Sequence, residues 1–439
     1  MDSAAEISLS TAEQLAPDAP NVRLRRIKRA IAQGDFSFAR LAIAALPDTG
    51  PREQGRRLAL SGELAEATWD FEAAATAYRA AIAYQPRAAA LHESLGRCVL
   101  LSADPRQARA HFAEARQLDR VAILLRGASL NPSQSRNGAL LNDTWCDADA
   151  LTATQQALSA SNLELQLNTV NQFPGYTFAS ISLLITLRRS NRADQADSQL
   201  RTPAARRIPR LIHQYWDSRV IPDDVAELTR SWSEHNPAWI YRRFDRSEAQ
   251  EYLRSNFGPS AARAFRRTRH AAQQADLFRL AVLLVEGGVY ADADDRCLAS
   301  LDAPTSSASL LLRQEHLGSI ANNFIAAEPG NSIIAGAFEL AVESIARGDS
   351  DSIWLSTGPG LMSRATAHYL ACEPSRLQHL GNEVQIMTTW QMRPYLAHWC
   401  HASYKASSKN WLNQEFNTRP LAAGITPQHM LPLTLRPGS

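Results

Sequence analysis

The sequence predicts two architectures in one chain: an all-α array of helical repeats in front, and an α/β domain built on a mostly parallel sheet behind. Three observations lead there. Between about residues 35 and 125, similar residues recur 34 positions apart, as in Ala74 and Ala108, Tyr78 and Phe112, Ala81 and Ala115; a fixed period of this size marks stacked helix pairs. After Arg207 the pattern changes to short apolar runs alternating with amphipathic stretches, which reads as strands joined by helices. The length agrees, because 439 residues at 45% apolar exceed what one ordinary core absorbs.

The boundaries follow from these signals: a flexible N-terminus over 1–22, helical repeats over 23–130, a connector over 131–205 and the α/β domain over 206–439. Within the repeats, small residues at the alanine positions let paired helices approach, and an aromatic fills the space between neighbours. Asp70-Phe71 through Gln85-Pro86 has the start and stop signals of one helix, and Asp35-Phe36 through Leu46-Pro47 is an earlier, shorter copy. The region resembles tetratricopeptide-like repeats and carries no catalytic constellation. In the connector, Asn131-Pro132-Ser133, Phe173-Pro174-Gly175 and the polar stretch Arg188 to Arg201 interrupt the pattern. The apolar segment Ile181 to Leu187 is a helix or strand packed against either neighbour.

The α/β half opens with Arg210 to Trp216 as a buried strand, Val225 to Trp232 as a helix after the Pro222-Asp223-Asp224 start signal, and Trp239 to Phe244 as a second strand. Leu277, Leu280, Ala281 and Leu284 then recur at helical spacing, so a buried helix runs to Glu286 and stops at Gly287-Gly288. Asp276 and Arg279, three apart, share one face of it. Residues after the glycines read as a short strand whose period of two puts Asp292 and Asp294 on the same side. Two carboxylates delivered together at a strand end suit a hard divalent cation with positions open for phosphate oxygens. The spacing recurs at Asp147-Ala148-Asp149 and Asp349-Ser350-Asp351, so the preceding helix and Gly-Gly stop, not the triplet alone, single out Asp292. A calcium loop is excluded, since Cys297 and Ala303 stand where an EF-hand needs Gly and Glu.

Charge and cysteine usage narrow the class. Forty-six basic against 44 acidic residues leave no field to hold nucleic acid or an anionic membrane. The arginine runs at Arg23 to Arg29 and Arg201 to Arg210 are expected to be solvated faces. Five scattered cysteines, without a C-x-x-C pair, argue against a disulfide framework or a zinc knuckle. The opening Met-Asp-Ser-Ala lacks a basic start before an apolar run, and no stretch reaches the roughly 20 apolar residues of a membrane span. The expectation is a cytoplasmic chain.

From Ile212-His213-Gln214-Tyr215-Trp216 through Ala275-Asp276-Leu-Phe-Arg279 to Gly287-Gly288-Val-Tyr290-Ala-Asp292-Ala-Asp294, the second half resembles the DXD sugar-binding glycosyltransferases. That family includes yeast initiating α-mannosyltransferases, bacterial capsule and lipopolysaccharide enzymes and, distantly, large glucosylating toxins. The resemblance implies a GT-A fold, Mn²⁺ or Mg²⁺, a nucleotide-diphosphate sugar donor and retention of configuration without a protein nucleophile. Carried over by position, it implies that Trp216 stacks on the nucleotide base, that Asp276 and Arg279 hold the sugar hydroxyls, that Asp292 touches the ribose and the metal, that Asp294 is a direct metal ligand, and that Gln214 and Tyr290 also belong to the donor site. Asn322 and Asn323 resemble the family's strand after the metal site, and Thr357-Gly358-Pro359 its turn near the acceptor cleft. The family closes its site with His followed by Ser-Trp; here His398-Trp-Cys-His401-Ala-Ser403-Tyr404-Lys405 has Tyr in place of Trp, so either His398 or His401 is the candidate metal ligand and Lys405 a candidate phosphate contact. The implied partners are the donor and a glycan or protein acceptor, in capsular polysaccharide or glycoconjugate synthesis. The repeats offer a surface for the acceptor or a partner protein. The competing readings are a repeat-based scaffold and a protein-modifying transferase whose repeats choose the target.

Overall fold

The computed structural model describes residues 19–47, 50–125, 128–135, 137–190, 192, 206–348 and 352–406. The expected flexible start up to residue 18, most of the polar stretch 188–201, Arg201 to Ala205, the triplet Asp349 to Asp351 and everything after 406 lie outside the described residues.

The front half is helical. Helices α1 (Pro20–Gln33), α2 (Phe36–Ala44), α3 (Pro51–Ala67), α4 (Phe71–Tyr84), α5 (Ala89–Leu101), α6 (Pro105–Leu118) and α7 (Arg120–Leu125) follow one another. Asp35, Asp70 and Asp104 each start a helix by accepting a backbone N–H, from Phe38 at 3.0 Å, Ala73 at 3.1 Å and Gln107 at 2.9 Å, which satisfies a donor with no partner inside the helix. Ala74, Ala81, Ala108, Tyr78 and Phe112 are all buried as the period requires. The period also holds where sequence reading did not look. Gly62 and Gly96 face the rings of Tyr78 and Phe112 so closely that a Cβ would lie 2.7 Å from either ring. Trp69 and Ala103 both turn the chain at φ near +65°.

The connector is a built part of the molecule. Helices α8 (Gly138–Asp143), α9 (Ala148–Ser159), α10 (Leu163–Gln172) and α11 (Thr177–Arg189) occupy it, and Ile181 to Leu187 is the buried centre of α11. Asp147 of the first spare acid triplet caps α9, accepting from Ala150 N–H at 2.9 Å. Arg206, Arg207 and Arg210, the described part of the second arginine run, pair with Asp302, Glu328 and Glu383.

The rest of the chain runs β1 (Leu211–Tyr215), α12 (Asp223–His235), β2 (Ile240–Phe244), α13 (Arg246–Arg267), α14 (Ala271–Glu286), β3 (Gly288–Ala291), β4 (Arg296–Cys297), β5 (Leu310–Gln314), β6 (Ile320–Ala327), α15 (Ser332–Arg347), α16 (Ile353–Ser356), α17 (Pro359–Cys372), β7 (Val384–Thr388), α18 (Thr389–Met392) and β8 (Leu396–Ala397). The main sheet has the order β2-β1-β3-β6-β5-β7. It is mixed: β6 runs against β3 and β5, while the other strands share one direction. Both faces are covered, with Leu310, Leu312, Ile325 and Ala327 in one hydrophobic cluster and Leu311, Phe324 and Ala326 in another, as a period of two demands. Gly287 and Gly288, at φ +66° and +94°, bring the chain from α14 into β3 where a Cβ would meet the Ala327 and Leu211 carbonyl oxygens at 2.8 and 2.6 Å.

The larger cluster does not stop at the repeat boundary. It runs from Trp69, Tyr78, Leu95 and Phe112 through Phe178, Ile181 and Ile185 to Phe278, Leu312 and Ile386. Polar ties join the connector to the α/β half: Arg188 donates to Gln314 Oε1 at 3.1 Å and to the Ile386 carbonyl, and Arg364 to Thr177 Oγ1 at 2.7 Å. Farther forward, Phe36 meets Trp390 edge-on at 5.6 Å. Among the described residues no helix is long and apolar enough to cross a membrane.

Candidate active site

A cavity of about 310 Å³ opens beyond the carboxyl ends of β1 and β3, the end at which α/β sheets collect ligands. Trp216 and Asp217 leave β1 on one side of it. The start of α14, from Ala271 to Arg279, forms a second side, Asn322 and Asn323 of β6 a third, and Trp354 with Gly358-Pro359 a fourth. Because β6 is antiparallel to β3, Ala291 pairs with Phe324 and the two asparagines fall beside the motif. Asp292 N–H donates to the Asn323 carbonyl at 2.8 Å.

The acids are aimed by a turn. Strand β3 ends at Ala291, so Asp292 and Asp294 are not alternate strand residues as the spacing suggested; the turn is closed by Asp295 N–H donating to the Asp292 carbonyl at 3.1 Å. Ala293 between them is buried against Val225 and Ala402, which leaves the flanking carboxylates facing the cavity.

Arg279 ties three elements together. Its guanidinium, 3% exposed, lies 3.0 Å from both Asp276 Oδ1 and Asp292 Oδ1, donates to the Asn322 carbonyl and sits 4.7 Å from the centre of the Tyr290 ring. Asp276 accepts in addition from Asn322 Nδ2 at 2.8 Å and from the Thr357 hydroxyl at 2.7 Å. Burial pushes its carboxyl up to about 6 despite Arg279 and these two donors. The same cause lifts Asp292 to about 7, opposed by Arg279 and reinforced by Asp294. Asp295 is 2% exposed and is raised well above the carboxylate range by burial first, then by Asp294 and Asp292. It accepts from Asn323 Nδ2 at 2.5 Å, and Asn323 Oδ1 in turn accepts from Arg313 at 2.6 Å.

Three carboxylates stand in one turn, two of them driven upward by burial first and then by Asp294, and an all-oxygen set is what a hard divalent ion prefers. Among the described residues no three His, Cys, Asp or Glu side chains converge closely enough to hold a metal unaided. Asp292 and Asp294 are the residues that could hold such an ion, as one or two carboxylate ligands in the manner usual for Mg²⁺.

The structure brings together Trp216, Asp276, Arg279, Asp292, Asp294, Asn322, Asn323 and Gly358, all of which line the cavity. Gln214 and Tyr290 stand behind it. Gln214 donates to the Asp292 carbonyl at 3.0 Å and accepts from Tyr241 at 2.8 Å, and Tyr290 is the floor under Arg279. His398 and His401 are exposed and do not line the cavity; from the same segment Trp399, Tyr404 and Lys405 do. Tyr404 meets Trp216 edge-on at 5.2 Å. Sequence reading passed over Asp295, although it adjoins the motif, and gave Thr357 no role toward Asp276. Arg313 carried no local signal at all.

Residues 222–312 match the family described as "Glycosyltransferase sugar-binding region containing DXD motif". An uncharacterized glycosyltransferase of Acanthamoeba polyphaga mimivirus is 22% identical over 43% of this chain and 73% of its own length. The initiation-specific alpha-1,6-mannosyltransferase of Schizosaccharomyces pombe is 32% identical, but over 20% of this chain and 23% of that enzyme. Among solved structures, the PaToxG glycosyltransferase aligns over 62% of this chain and 96% of its own, at 16% identity and a TM-score of 0.34.

Proposed function

We propose that this chain, an enzyme whose glycosyltransferase sugar-binding region carries its DXD motif at Asp292-Ala293-Asp294, is a metal-dependent, retaining transferase of GT-A type that takes a hexosyl group from a nucleoside diphosphate sugar. The observation that carries this is the joined set Asp276, Arg279 and Asp292, three charged groups from two elements locked at 3.0 Å contacts where the sheet opens. A cluster so buried and so costly to assemble is a functional device more often than a stabilising one.

In this reading Trp216 offers its ring to the base. Asp276, with its carboxylate fixed by Thr357, Asn322 and Arg279, presents its remaining lone pairs to sugar hydroxyls. Arg279 and Gln214 act one step back, the first orienting both acids and the second the backbone of Asp292. Asp292 and Asp294 would hold Mn²⁺ or Mg²⁺, which supplies charge neutralisation to the departing diphosphate. Retention rests on the family resemblance, and no side chain is assigned as nucleophile. The similarity to a mannosyltransferase makes mannosyl donors the first to try, with a glycan or protein acceptor in cell-surface polysaccharide or glycoconjugate synthesis on the cytoplasmic side.

The repeated Gly62 and Gly96 under Tyr78 and Phe112 support reading the front half as tetratricopeptide-like. Its open cavity of about 590 Å³ between α2 and α3, lined by Arg40, Arg57, Ser61 and Thr68 among others, supports a role in choosing the acceptor or a partner protein.

The test is a screen of nucleotide sugars for Mn²⁺-dependent hydrolysis by the full chain. One donor should be cleaved in Mn²⁺ and none in excess chelator. Asp294→Asn removes one charge at constant volume and should lower turnover at least about a hundredfold, with the circular dichroism spectrum unchanged. Turnover that survives in chelator or in that variant rules the metal-dependent reading out.

A further inference from the structure

The last described segment lines the cavity with Trp399, Tyr404 and Lys405 and sets a cation on the second acid of the motif. Lys405 Nζ lies 2.5 Å from Asp294 Oδ2, and the Tyr404 hydroxyl donates to the same oxygen at 3.0 Å. The segment is held in place from several sides. Ser403 N–H and hydroxyl donate to Asp224 at 2.5 and 3.2 Å, Trp399 N–H donates to Asp295 Oδ1 at 3.2 Å, and Ala402 is buried against Ala293. The ammonium also donates to the Cys400 carbonyl at 2.7 Å and lies 5.0 Å from the Trp399 ring centre.

An oxygen that holds an ammonium at 2.5 Å cannot also ligate a divalent ion without strong repulsion between the two cations. The contest is uneven in flexibility, because Lys405 sits on a four-carbon stem with freely turning donors, whereas Asp294 is fixed by the turn. Once a donor enters, its diphosphate brings a second, doubly anionic partner for the displaced ammonium into the same cavity. We propose that Lys405 is a tethered counter-cation: it neutralises Asp294 when no divalent ion is bound and passes to the phosphate oxygens when such an ion takes that carboxylate. Metal and nucleotide then bind cooperatively, since each frees or occupies what the other needs. This rests on reading the cavity as a metal and nucleoside diphosphate site.

The experiment measures Mn²⁺ binding to the full chain from the paramagnetic resonance signal of the free ion, alone and with saturating GDP or UDP. Lys405→Met keeps the stem and removes the charge. It should bind Mn²⁺ alone about tenfold more tightly than the wild type, and the strengthening of Mn²⁺ binding by nucleotide should fall by about the same factor. Lys405→Arg, which keeps a cation, should retain most of the coupling. Lys405→Met with unchanged or weaker affinity for Mn²⁺ alone overturns the counter-cation. A wild type that takes up neither Mn²⁺ nor either nucleotide, separately or together, overturns the underlying site reading instead, so the two failures are distinct.

Discussion

Arg279 shows how one side chain can set a site's geometry without being its reactive group. Sequence spacing foresaw that Asp276 and Arg279 share a helix face; it could not foresee that Asp292, from beyond the helix end, comes to the same guanidinium at 3.0 Å. A planar fork bonds two carboxylates and the Asn322 carbonyl at once, and a lysine ammonium has neither the span nor the plane to do so. Arg279→Lys should therefore leave one buried carboxylate poorly paired and let Asp292 drift. The expected result is a fall in kcat/KM for the donor of about 10- to 100-fold, or about 1–3 kcal/mol, measured beside Asp294→Asn. Kinetic constants equal to the wild type would confine Arg279 to a structural pair.

At the scale of elements, most helices were legible because their causes are local. Asp35, Asp70 and Asp104 announce their helices by chemistry that acts within three residues. Strand direction was not legible. Ile320 to Ala327 is mostly buried on both faces, and such a run reads the same whether its neighbours are parallel or antiparallel, so the single reversed strand β6 stayed hidden. The small residues of the repeats allow a direct check. A helical Gly→Ala change in open space gains up to about 1 kcal/mol, and Gly336 in α15 has nothing within 4 Å of its built Cβ. At Gly96 the same methyl would stand 2.7 Å from the Phe112 ring, where overpacking costs about 1–3 kcal/mol. Gly336→Ala should thus raise the urea midpoint and Gly96→Ala lower it. Equal shifts would mean that the glycine under the aromatic is not a packing requirement of the repeat.

At the scale of the molecule, the two halves were visible in the sequence but their fusion was not, because the joining contacts are between apolar residues far apart in the chain and leave no pattern of their own. Tyr78, Leu95 and Phe112 share a cluster with Phe178, Ile181 and Ile185, and through them with Phe278 and Leu312 under the sheet. At Gly318, a Cβ would lie 2.6 Å from Ile185, and burial lowers the His316 imidazole at a place where Glu66 and Arg97 of the front half also act on it. The first helices are attached differently: Ile27, Ala39 and Ile43 form a separate small cluster with Leu60 and Leu64. With no catalytic constellation in the repeats, deletion up to about residue 130 would be expected from the sequence to spare donor hydrolysis and weaken use of the acceptor. The shared core argues for two distinct outcomes instead. Deleting residues 1–47 should leave a soluble chain that unfolds cooperatively and hydrolyses the donor, because it strips the small cluster and the Trp390 contact but not the continuous core. Deleting residues 1–130 removes one wall of that core, exposing apolar area worth several kcal/mol at about 25 cal/mol per Å². That fragment should aggregate or lose cooperative unfolding and hydrolyse nothing. Both fragments should be assayed for donor hydrolysis, solubility and the shape of the urea transition; a soluble 131–439 fragment with a sharp transition and wild-type hydrolysis would show that the repeats are a detachable module after all.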